Sequence, residues 1–341
     1  MNYDPRVMVP HDRRIGLLFG GAPRVPRMVE LAQQAERAGF ESVWMAETRM
    51  TRDGFTPLAA IASATERIGL GTGIVNVYTR GAVVMAVSFA TLAEIAPGRV
   101  IVGLGPGSPR VLAPQGYSWS KPLTRLREYT QVMGPLLRGE DVTFAGEAVS
   151  LQDARIEDVL ADNTSEIGDE ADLPIYFGVT GRAAVELAGE LADGVLYNVC
   201  LPVEYLARAR QAIERGAARA GRAAADVDIA MVILTAADLD SEVGKHRAHA
   251  FCSLYLSLFP NIAAETGVDP DVIAETRAAF HGHGLEAAQR VLPLDVVDRL
   301  CAAGTPAECQ SRLDEYRAAG VSLPVISALE GSIELAIEHL R

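Results

Sequence analysis

The sequence predicts an α/β fold, a (β/α)8 barrel of the TIM type. Apolar runs of strand length alternate with helical periodicity almost from end to end, which is the pattern of repeated βα units. Several runs, such as Val100–Val102, are apolar throughout, as expected of parallel strands covered on both faces. Eight runs favour a barrel, because an open doubly wound sheet usually has about five or six strands. The predicted strands are Ile15–Gly20, Ser42–Ala46, Ile68–Ile74, Val100–Leu104, Ile175–Gly178, Gly194–Asn198, Val227–Thr235 and Leu323–Ala328.

Local signals predict the boundaries of two helices. The first helix carries an apolar stripe and is expected to end at Gly39, because glycine readily adopts the left-handed conformation that closes a helix. The last barrel helix is expected to begin at Thr305. There Pro306 suits the first helical position, and Glu308 can complete a capping box with the threonine.

We interpret the chain as one barrel domain, residues 1–341, with three segments longer than a simple βα connection needs. Residues 105–120 follow the fourth predicted strand and residues 237–302 follow the seventh. Both are therefore expected at the carboxyl ends of the strands, where barrel active sites form. Residues 139–173 precede the fifth strand and are expected on the opposite face. They show a hairpin-like pattern followed by an acidic stretch, 162–172, that we interpret as a mobile loop.

Composition and charge disfavour several kinds of partner. The chain carries 31 basic and 44 acidic residues, a formal net charge of −13, which repels nucleic acids and anionic membranes. No apolar stretch is long enough to cross a bilayer, and the polar amino terminus does not resemble a signal peptide. Four scattered cysteines are too few for a disulfide framework. We therefore expect a cytoplasmic protein that binds neither nucleic acid nor membranes.

Polar residues and glycines collect at the carboxyl ends of the predicted strands. Glu47 projects from an otherwise apolar strand end, so it could carry a proton, contact a ligand, or pair with Arg49 or Arg80. The fourth strand runs into a glycine-rich turn. Pro106 lies within that turn and the spacing is not GxGxxG, so a dinucleotide-binding turn is disfavoured, whereas tight turning alone explains the glycines.

The turn after the fifth strand is better suited to an anion. Gly178–Gly181 leads directly into a helix, whose free N–H groups and positive dipole end would face the barrel mouth beside Arg182. A phosphate fits this position, and a simple βα turn is the alternative interpretation.

Neither a protein nucleophile nor a metal site stands out. No Ser-His-Asp or Cys-His arrangement is evident, and no histidine lies at a predicted strand end. The pairs His246/His249 and His281/His283 lack cysteines or carboxylates at ligand spacing, so we expect no metal site. A barrel with a glycine-rich mouth and an anion site but no nucleophile is typical of enzymes in which a bound cofactor carries the chemistry.

The sequence resembles a known family, the luciferase-like flavin and deazaflavin oxidoreductases, and within it the methylenetetrahydromethanopterin reductase-like branch. The similarity covers nearly the whole chain. The matching stretches are Ala35–Trp44, Thr65–Gly73, Ala90–Glu94, Gly103–Gly107, Lys121–Leu123 and Ala188–Gly194.

The resemblance implies a barrel that binds the deazaflavin coenzyme F420, or alternatively FMN, across its carboxyl face. It implies a non-prolyl cis peptide at Gly73–Ile74 behind the cofactor ring, Asn76 beside the ring, and a helical lid formed by residues 237–302. The cofactor-binding residues that it implies are Thr72, Gly73, Ile74, Asn76, Gly105, Pro106, Gly107, Ser108, Gly178, Val179, Thr180, Gly181, Arg182 and Asn198.

One departure from the family pattern bears on the reaction. Many deazaflavin-dependent members carry Asp-His at the end of strand two, where this chain has Glu47-Thr48. Without that histidine, alcohol or sugar oxidation is less favoured than reduction of an enone, imine or methylene-pterin-like carbon. We therefore expect an F420-dependent reductase in which Glu47 is the catalytic residue and tunes protonation.

Two other functions stay open. The first is an FMN-dependent monooxygenase that uses O2, and the second is a non-catalytic flavin-binding subunit. The expected partners are a small-molecule substrate and further copies of the chain, as a homodimer or higher homo-oligomer. The lid residues Phe251, Tyr255, Phe259 and Phe280 suggest an apolar pocket lining, but helix packing explains them equally well.

Overall fold

Eight parallel strands close into a barrel, as predicted. The computed structural model describes residues 13–47, 50–156 and 173–341. The strands are β1 (Gly16–Phe19), β2 (Ser42–Met45), β3 (Gly69–Thr72), β4 (Val75–Asn76), β5 (Val100–Gly105), β6 (Val142–Ala145), β7 (Ser150–Ala154), β8 (Ile175–Phe177), β9 (Gly194–Tyr197), β10 (Asp228–Ala237), β11 (Ala302–Gly304) and β12 (Leu323–Ala328). Around the barrel they follow the order β1-β2-β3-β5-β8-β9-β10-β12, and β12 pairs with β1 to close it.

Helices surround the barrel and decorate its carboxyl face. They are α1 (Val25–Ala38), α2 (Phe55–Ala62), α3 (Ala82–Ile95), α4 (Pro109–Leu112), α5 (Pro122–Leu137), α6 (Arg182–Leu191), α7 (Val203–Ala220), α8 (Ser241–Leu258), α9 (Pro260–Ala263), α10 (Pro270–His283), α11 (Leu285–Val291), α12 (Val296–Leu300), α13 (Pro306–Ala318) and α14 (Ile333–His339). Short 3-10 turns lie at Ala113–Gln115 and Ala224–Asp226. Among the described residues, no helix combines the length and apolar character needed to cross a bilayer.

Both helix boundaries expected from the sequence are confirmed. Gly39 closes α1 with φ of 88°, in the left-handed region. Before α13 the Thr305 hydroxyl accepts the Glu308 N–H at 3.3 Å, and the Glu308 carboxylate accepts the Thr305 N–H at 2.7 Å. However, α13 is not the last barrel helix, because α14 follows the eighth strand.

The third predicted strand, residues 68–74, is interrupted. β3 ends at Thr72, the Gly73–Ile74 peptide bond is cis, and β4 then pairs with the end of β5. The cis peptide implied by the family resemblance is therefore confirmed. The prediction of a continuous strand was wrong, because Gly73 and Ile74 are as apolar as the residues before them. Hydrophobicity therefore does not mark the break.

The long segment after β10 lies over the carboxyl ends of the strands. It contains α8 to α12 and ends in β11, which pairs with the last residues of β10. The Tyr255 hydroxyl, in α8, donates a hydrogen bond to Asn198 at the end of β9. The helical character expected for residues 237–302 is therefore confirmed.

The segment before β8 contains the predicted hairpin, formed by antiparallel β6 and β7. The buried Glu128 carboxylate accepts the N–H groups of Glu147, Ala148 and Val149 at the hairpin turn. Burial alone would raise the Glu128 pKa, but these three hydrogen bonds lower it. Lys121 pairs with Glu147, so the hairpin turn lies beside the first residues of α5. The acidic stretch 162–172 lies outside the described residues.

A buried arginine ties together the amino-terminal ends of the strands. The Arg14 side chain is 1% exposed and donates to Glu41 at 2.7 and 2.9 Å and to Asp228 at 2.9 and 2.8 Å. Tyr176 donates to the same Asp228 carboxylate at 2.6 Å. Burial raises the Asp228 pKa, but the hydrogen bonds and charge of Arg14 outweigh it, so the net shift is downward.

Replacing this arginine is expected to destabilise the fold. Arg14→Met removes the positive charge and the hydrogen bonds that Glu41 and Asp228 receive from Arg14 at a buried site, which should lower the free energy of unfolding by about 3–5 kcal/mol at pH 7. Denaturant-induced unfolding measures this change in the free energy of unfolding. Arg27→Met is the control, because the ion pairs of Arg27 are exposed. Since the Asp228 pKa is lowered in the folded state, its contribution is complete above the ordinary value of 3.8. The difference from wild type should therefore shrink as the pH falls below 3.8, and equal unfolding midpoints at pH 7 would contradict the account.

Candidate active site

Two adjoining clefts open at the carboxyl ends of β2 to β5. Their volumes are about 480 and 380 Å³, within the range of small-molecule sites, and both are lined by Met50 and Val111. The larger is completed by Pro109, Arg110, Ala113 and Pro114, and the smaller by Glu47, Thr51, Arg52, Asp53, Asn76, Thr79, Arg80 and Gln115. The loop after β2 and the segment after β5 therefore form the walls of one region.

Glu47 pairs with Arg80, one of the two partners that the sequence offered. Arg80 Nη1 lies 2.7 Å from Glu47 Oε1 and 2.6 Å from Oε2, and the Gly54 N–H donates to Oε2 at 3.0 Å. Arg49 and Thr48 lie outside the described residues. The Glu47 carboxylate accepts hydrogen bonds from the Arg80 guanidinium and from the Gly54 N–H. It therefore joins the loop that follows β2 to the loop that follows β4.

Asn76 and Thr72 shape the wall of the site through internal hydrogen bonds. Asn76 Oδ1 accepts the N–H groups of Tyr78 and Thr79 at 3.0 and 3.1 Å and so fixes the turn that leads to Arg80. The fully buried Thr72 hydroxyl donates to the Gly103 carbonyl at 2.7 Å and accepts the Gly103 N–H at 3.0 Å. Asn76 borders the smaller cleft, whereas the Thr72 side chain joins β3 to β5.

The side chain of Ile74, at the cis peptide, packs between two predicted cofactor-binding glycines. A Cβ at Gly105 would lie 2.5 Å from Ile74 Cδ1, and a Cβ at Gly178 would lie 2.6 Å from Ile74 Cγ2. Gly73 is also confined, since its Cβ would meet Leu18 at 2.9 Å. These glycines allow neighbouring strands to approach closely around Ile74.

The segment after β5 reaches the lid. Gly107 adopts φ of 60°, and the Pro106 carbonyl accepts the Trp119 indole N–H at 2.8 Å. The Ser108 carbonyl accepts the first N–H groups of the next helical turn, at Val111 and Leu112. The Arg110 guanidinium, two residues after Ser108, lies 5.9 Å from the ring centroid of Phe259, which follows the end of α8. The two insertions therefore meet above the barrel mouth.

The amino terminus of α6 is open, as an anion site requires. Gly181 precedes the helix with no side-chain cap, and within α6 the Ala184 N–H is bonded back to the Gly181 carbonyl at 2.9 Å. In the described part of the chain the Gly181 N–H has no hydrogen-bond partner, and a Cβ there would meet no atom within 4 Å. Unpaired N–H groups at a helix start attract anions.

Residues next to the amino terminus of α6 already form hydrogen bonds and ion pairs within the protein. The Arg182 side chain is exposed and pairs with Glu186 at 3.1 Å, one turn along α6. Hydrogen bonds from Arg215, Arg182 and Arg219 lower the Glu186 pKa to about 2. The Thr180 carbonyl accepts the Tyr205 hydroxyl at 2.7 Å, and Val179 is buried. Backbone N–H groups, rather than the Arg182 side chain, are thus the free donors here.

Tyr255 is a site residue whose contact the sequence did not reveal. Its hydroxyl donates to Asn198 Oδ1 at 3.0 Å, and its ring stacks between Phe251 and Phe259 at centroid distances of 5.2 and 4.4 Å. Phe280 instead lies against His281 in α10. The aromatic stripe of the lid is therefore divided, and part of it reaches the end of β9.

Predicted site residues thus lie at the carboxyl end of a barrel with an open cleft and a free helix amino terminus, and barrel active sites form at that end. The chain belongs to the luciferase-like monooxygenase family, whose sequence model matches residues 7–323. This confirms the resemblance seen in the sequence. It also makes the protein a member of a family of enzymes.

The chain is similar in sequence to F420-dependent enzymes and, in fold alone, to an FMN-bound monooxygenase constituent. The chain is 33% identical to a 5,10-methylenetetrahydromethanopterin reductase from Methanolobus tindarius, over 90% of this chain and 91% of that protein. The solved coenzyme F420-dependent tetrahydromethanopterin reductase from Methanopyrus kandleri superposes with a TM-score of 0.84, 25% identity, and coverage of 96% and 98%. A Pseudomonas putida Baeyer-Villiger monooxygenase constituent in complex with FMN shares the fold alone, at 16% identity, a TM-score of 0.69, and coverage of 96% and 98%.

Proposed function

We propose that this protein is an F420-dependent reductase that transfers a hydride from the reduced deazaflavin to an electrophilic carbon of a small molecule, such as an enone, an imine or a methylene-pterin-like group. The observation that carries the proposal is the similarity to a 5,10-methylenetetrahydromethanopterin reductase over nine-tenths of the chain. That similarity extends over 309 residues, at 33% identity.

The geometry supports a phosphate-bearing cofactor. The free N–H of Gly181 and the open space in front of it suit a phosphate at the start of α6. Asn76 lines the smaller cleft, and the segment after β5 borders the larger cleft. When bound, F420 supplies the hydride, and it lacks the ring nitrogen through which a flavin reacts readily with O2.

The chain's own residues orient the reactants and limit water. The lid and the segment after β5 meet through Arg110 and Phe259, so together they narrow the mouth. The Glu47–Arg80 pair fixes the loop that lines the smaller cleft. We propose that Glu47 also tunes protonation at the reacting carbon, because it is the carboxylate nearest the carboxyl end of β2 and lines that cleft.

An FMN-dependent monooxygenase is the second candidate. It is favoured by the fold shared with the FMN-bound monooxygenase constituent, and the phosphate of FMN would suit the same helix amino terminus. The two functions differ in their use of oxygen.

Anaerobic turnover tests the proposal. The protein is mixed with reduced F420 and a panel of enones and imines, and oxidation of the cofactor is followed by the return of its absorbance and fluorescence. We expect hydride transfer to at least one acceptor without O2. Inactivity with every acceptor, together with O2 consumption by the FMN-loaded and reduced protein, would establish the monooxygenase instead.

One substitution removes a single donor from the proposed phosphate site. Gly181→Pro deletes the N–H but preserves the backbone, since the observed φ of −66° is the angle that proline imposes. We expect the F420 dissociation constant to rise about tenfold or more, as for loss of a hydrogen bond to a charged group. Gly181→Ala keeps the N–H and should bind as the wild type does. Equal affinities of the two variants in a fluorescence titration would place the phosphate elsewhere.

The role of Glu47 can be separated from its pairing with Arg80. Glu47→Gln should lower kcat about 100-fold or more while F420 affinity changes little, because the amide can accept a hydrogen bond but cannot exchange a proton. Arg80→Met removes the pair and leaves the carboxylate. If instead both variants lose cofactor affinity and thermal stability together, or if neither changes kcat, Glu47 only fastens the loops.

A further inference from the structure

Away from the clefts, three cysteines from distant parts of the sequence meet in the protein interior. Cys200 follows β9, Cys252 lies in α8, and Cys301 immediately precedes β11. Their exposures are 1%, 0% and 1%. The Sγ atoms of Cys200 and Cys252 are 3.9 Å apart, those of Cys252 and Cys301 are 3.3 Å apart, and all three lie within 4.8 Å of one another. We call this group the thiol triad.

The spacing of the triad is that of sulfur ligands around one metal ion. Zinc–sulfur bonds of about 2.3 Å place the sulfur atoms of a tetrahedral or trigonal site about 3.8 to 4.0 Å apart. The Cys200–Cys252 separation of 3.9 Å already lies in that range, and the Cys252–Cys301 separation of 3.3 Å has to lengthen by about 0.5 Å to reach it. Thiolates are soft ligands that select cations such as Zn²⁺ and Cu⁺ over Mg²⁺ or Ca²⁺. We propose that the thiol triad binds one thiophilic metal cation through three sulfur atoms.

The surroundings of the triad favour three ligands. Among the described histidines and carboxylates, none brings a ligand atom into the group formed by the three sulfur atoms. His249, one turn before Cys252, is held by a 2.8 Å contact between its Nε2 and the Leu292 carbonyl. Cys309 shows what an isolated buried cysteine does here: its Sγ is 3.8 Å from the Gly304 carbonyl and joins no cluster.

A cation in the triad would link the lid to the barrel. Its ligands come from the loop after the sixth barrel strand, from the first lid helix, and from the end of the lid. Tyr255 lies one turn beyond Cys252, and Asn198 lies two residues before Cys200. The ion would therefore hold the two segments whose side chains meet in the Tyr255–Asn198 hydrogen bond. This inference does not depend on the identity of the cofactor.

Metal titration of the reduced full-length chain tests the proposal. Cd²⁺ is added without O2, and thiolate-to-metal charge-transfer absorbance in the ultraviolet is recorded. Because the triad is buried, protein from zinc-supplemented cultures is also assayed for bound metal. We expect one equivalent per chain and a rise in the thermal unfolding temperature. Cys252→Ser and Cys252→Ala should lose both signals, and Cys309→Ser should keep them. A parallel titration with Cu⁺ identifies the preferred cation.

Differential alkylation of the wild-type chain gives an answer that does not depend on the folding of variants. In mild denaturant, metal should protect Cys200, Cys252 and Cys301 from alkylation and leave Cys309 reactive, and a chelator should abolish the protection. The proposal is overturned if neither route of loading gives bound metal, or if the stoichiometry is unchanged in Cys252→Ser. It is also overturned if all four cysteines are protected alike.

Discussion

The close approach of β3 and β4 to β5 and β8 is the constraint on which the site depends. A Cβ at Gly103 would lie 1.7 Å from the Thr72 carbonyl oxygen, so only glycine allows these strands their observed separation. Beyond it, Gly105 and Gly178 leave room for the side chain of Ile74. Because the strands converge in this way, the loops that follow them emerge together on one side of the barrel mouth, where the clefts lie.

Glu47 and Arg182, two of the charged side chains predicted at the site, are paired, and a free backbone donor lies at the start of α6. Glu47 is satisfied by Arg80 and the Gly54 N–H, and Arg182 turns along its helix to Glu186. The start of α6 keeps a free N–H in open space. A ligand anion is therefore expected to bind at the helix amino terminus, because it does not have to displace a counter-charge there. This explains how a chain with a formal net charge of −13 can present an anion site.

Sequence periodicity predicted what depends on local pattern and missed what depends on distant contacts. The alternation of apolar runs gave all eight barrel strands, and local residue preferences gave the ends of α1 and α13. The break at Gly73–Ile74 came only from family resemblance, because both residues continue an apolar run. The choice of Arg80 as the partner of Glu47 depends on which loops meet. The thiol triad joins residues 52 and 49 positions apart, so no local spacing could indicate it.

The proposed function requires that this barrel bind a deazaflavin in preference to a flavin. Titration of the purified apo protein with F420 and, separately, with FMN measures this preference, with cofactor fluorescence and absorbance followed at matched ionic strength. We expect F420 to bind more tightly than FMN. Tighter binding of FMN would contradict it and would make an oxygen-dependent reaction the function to pursue.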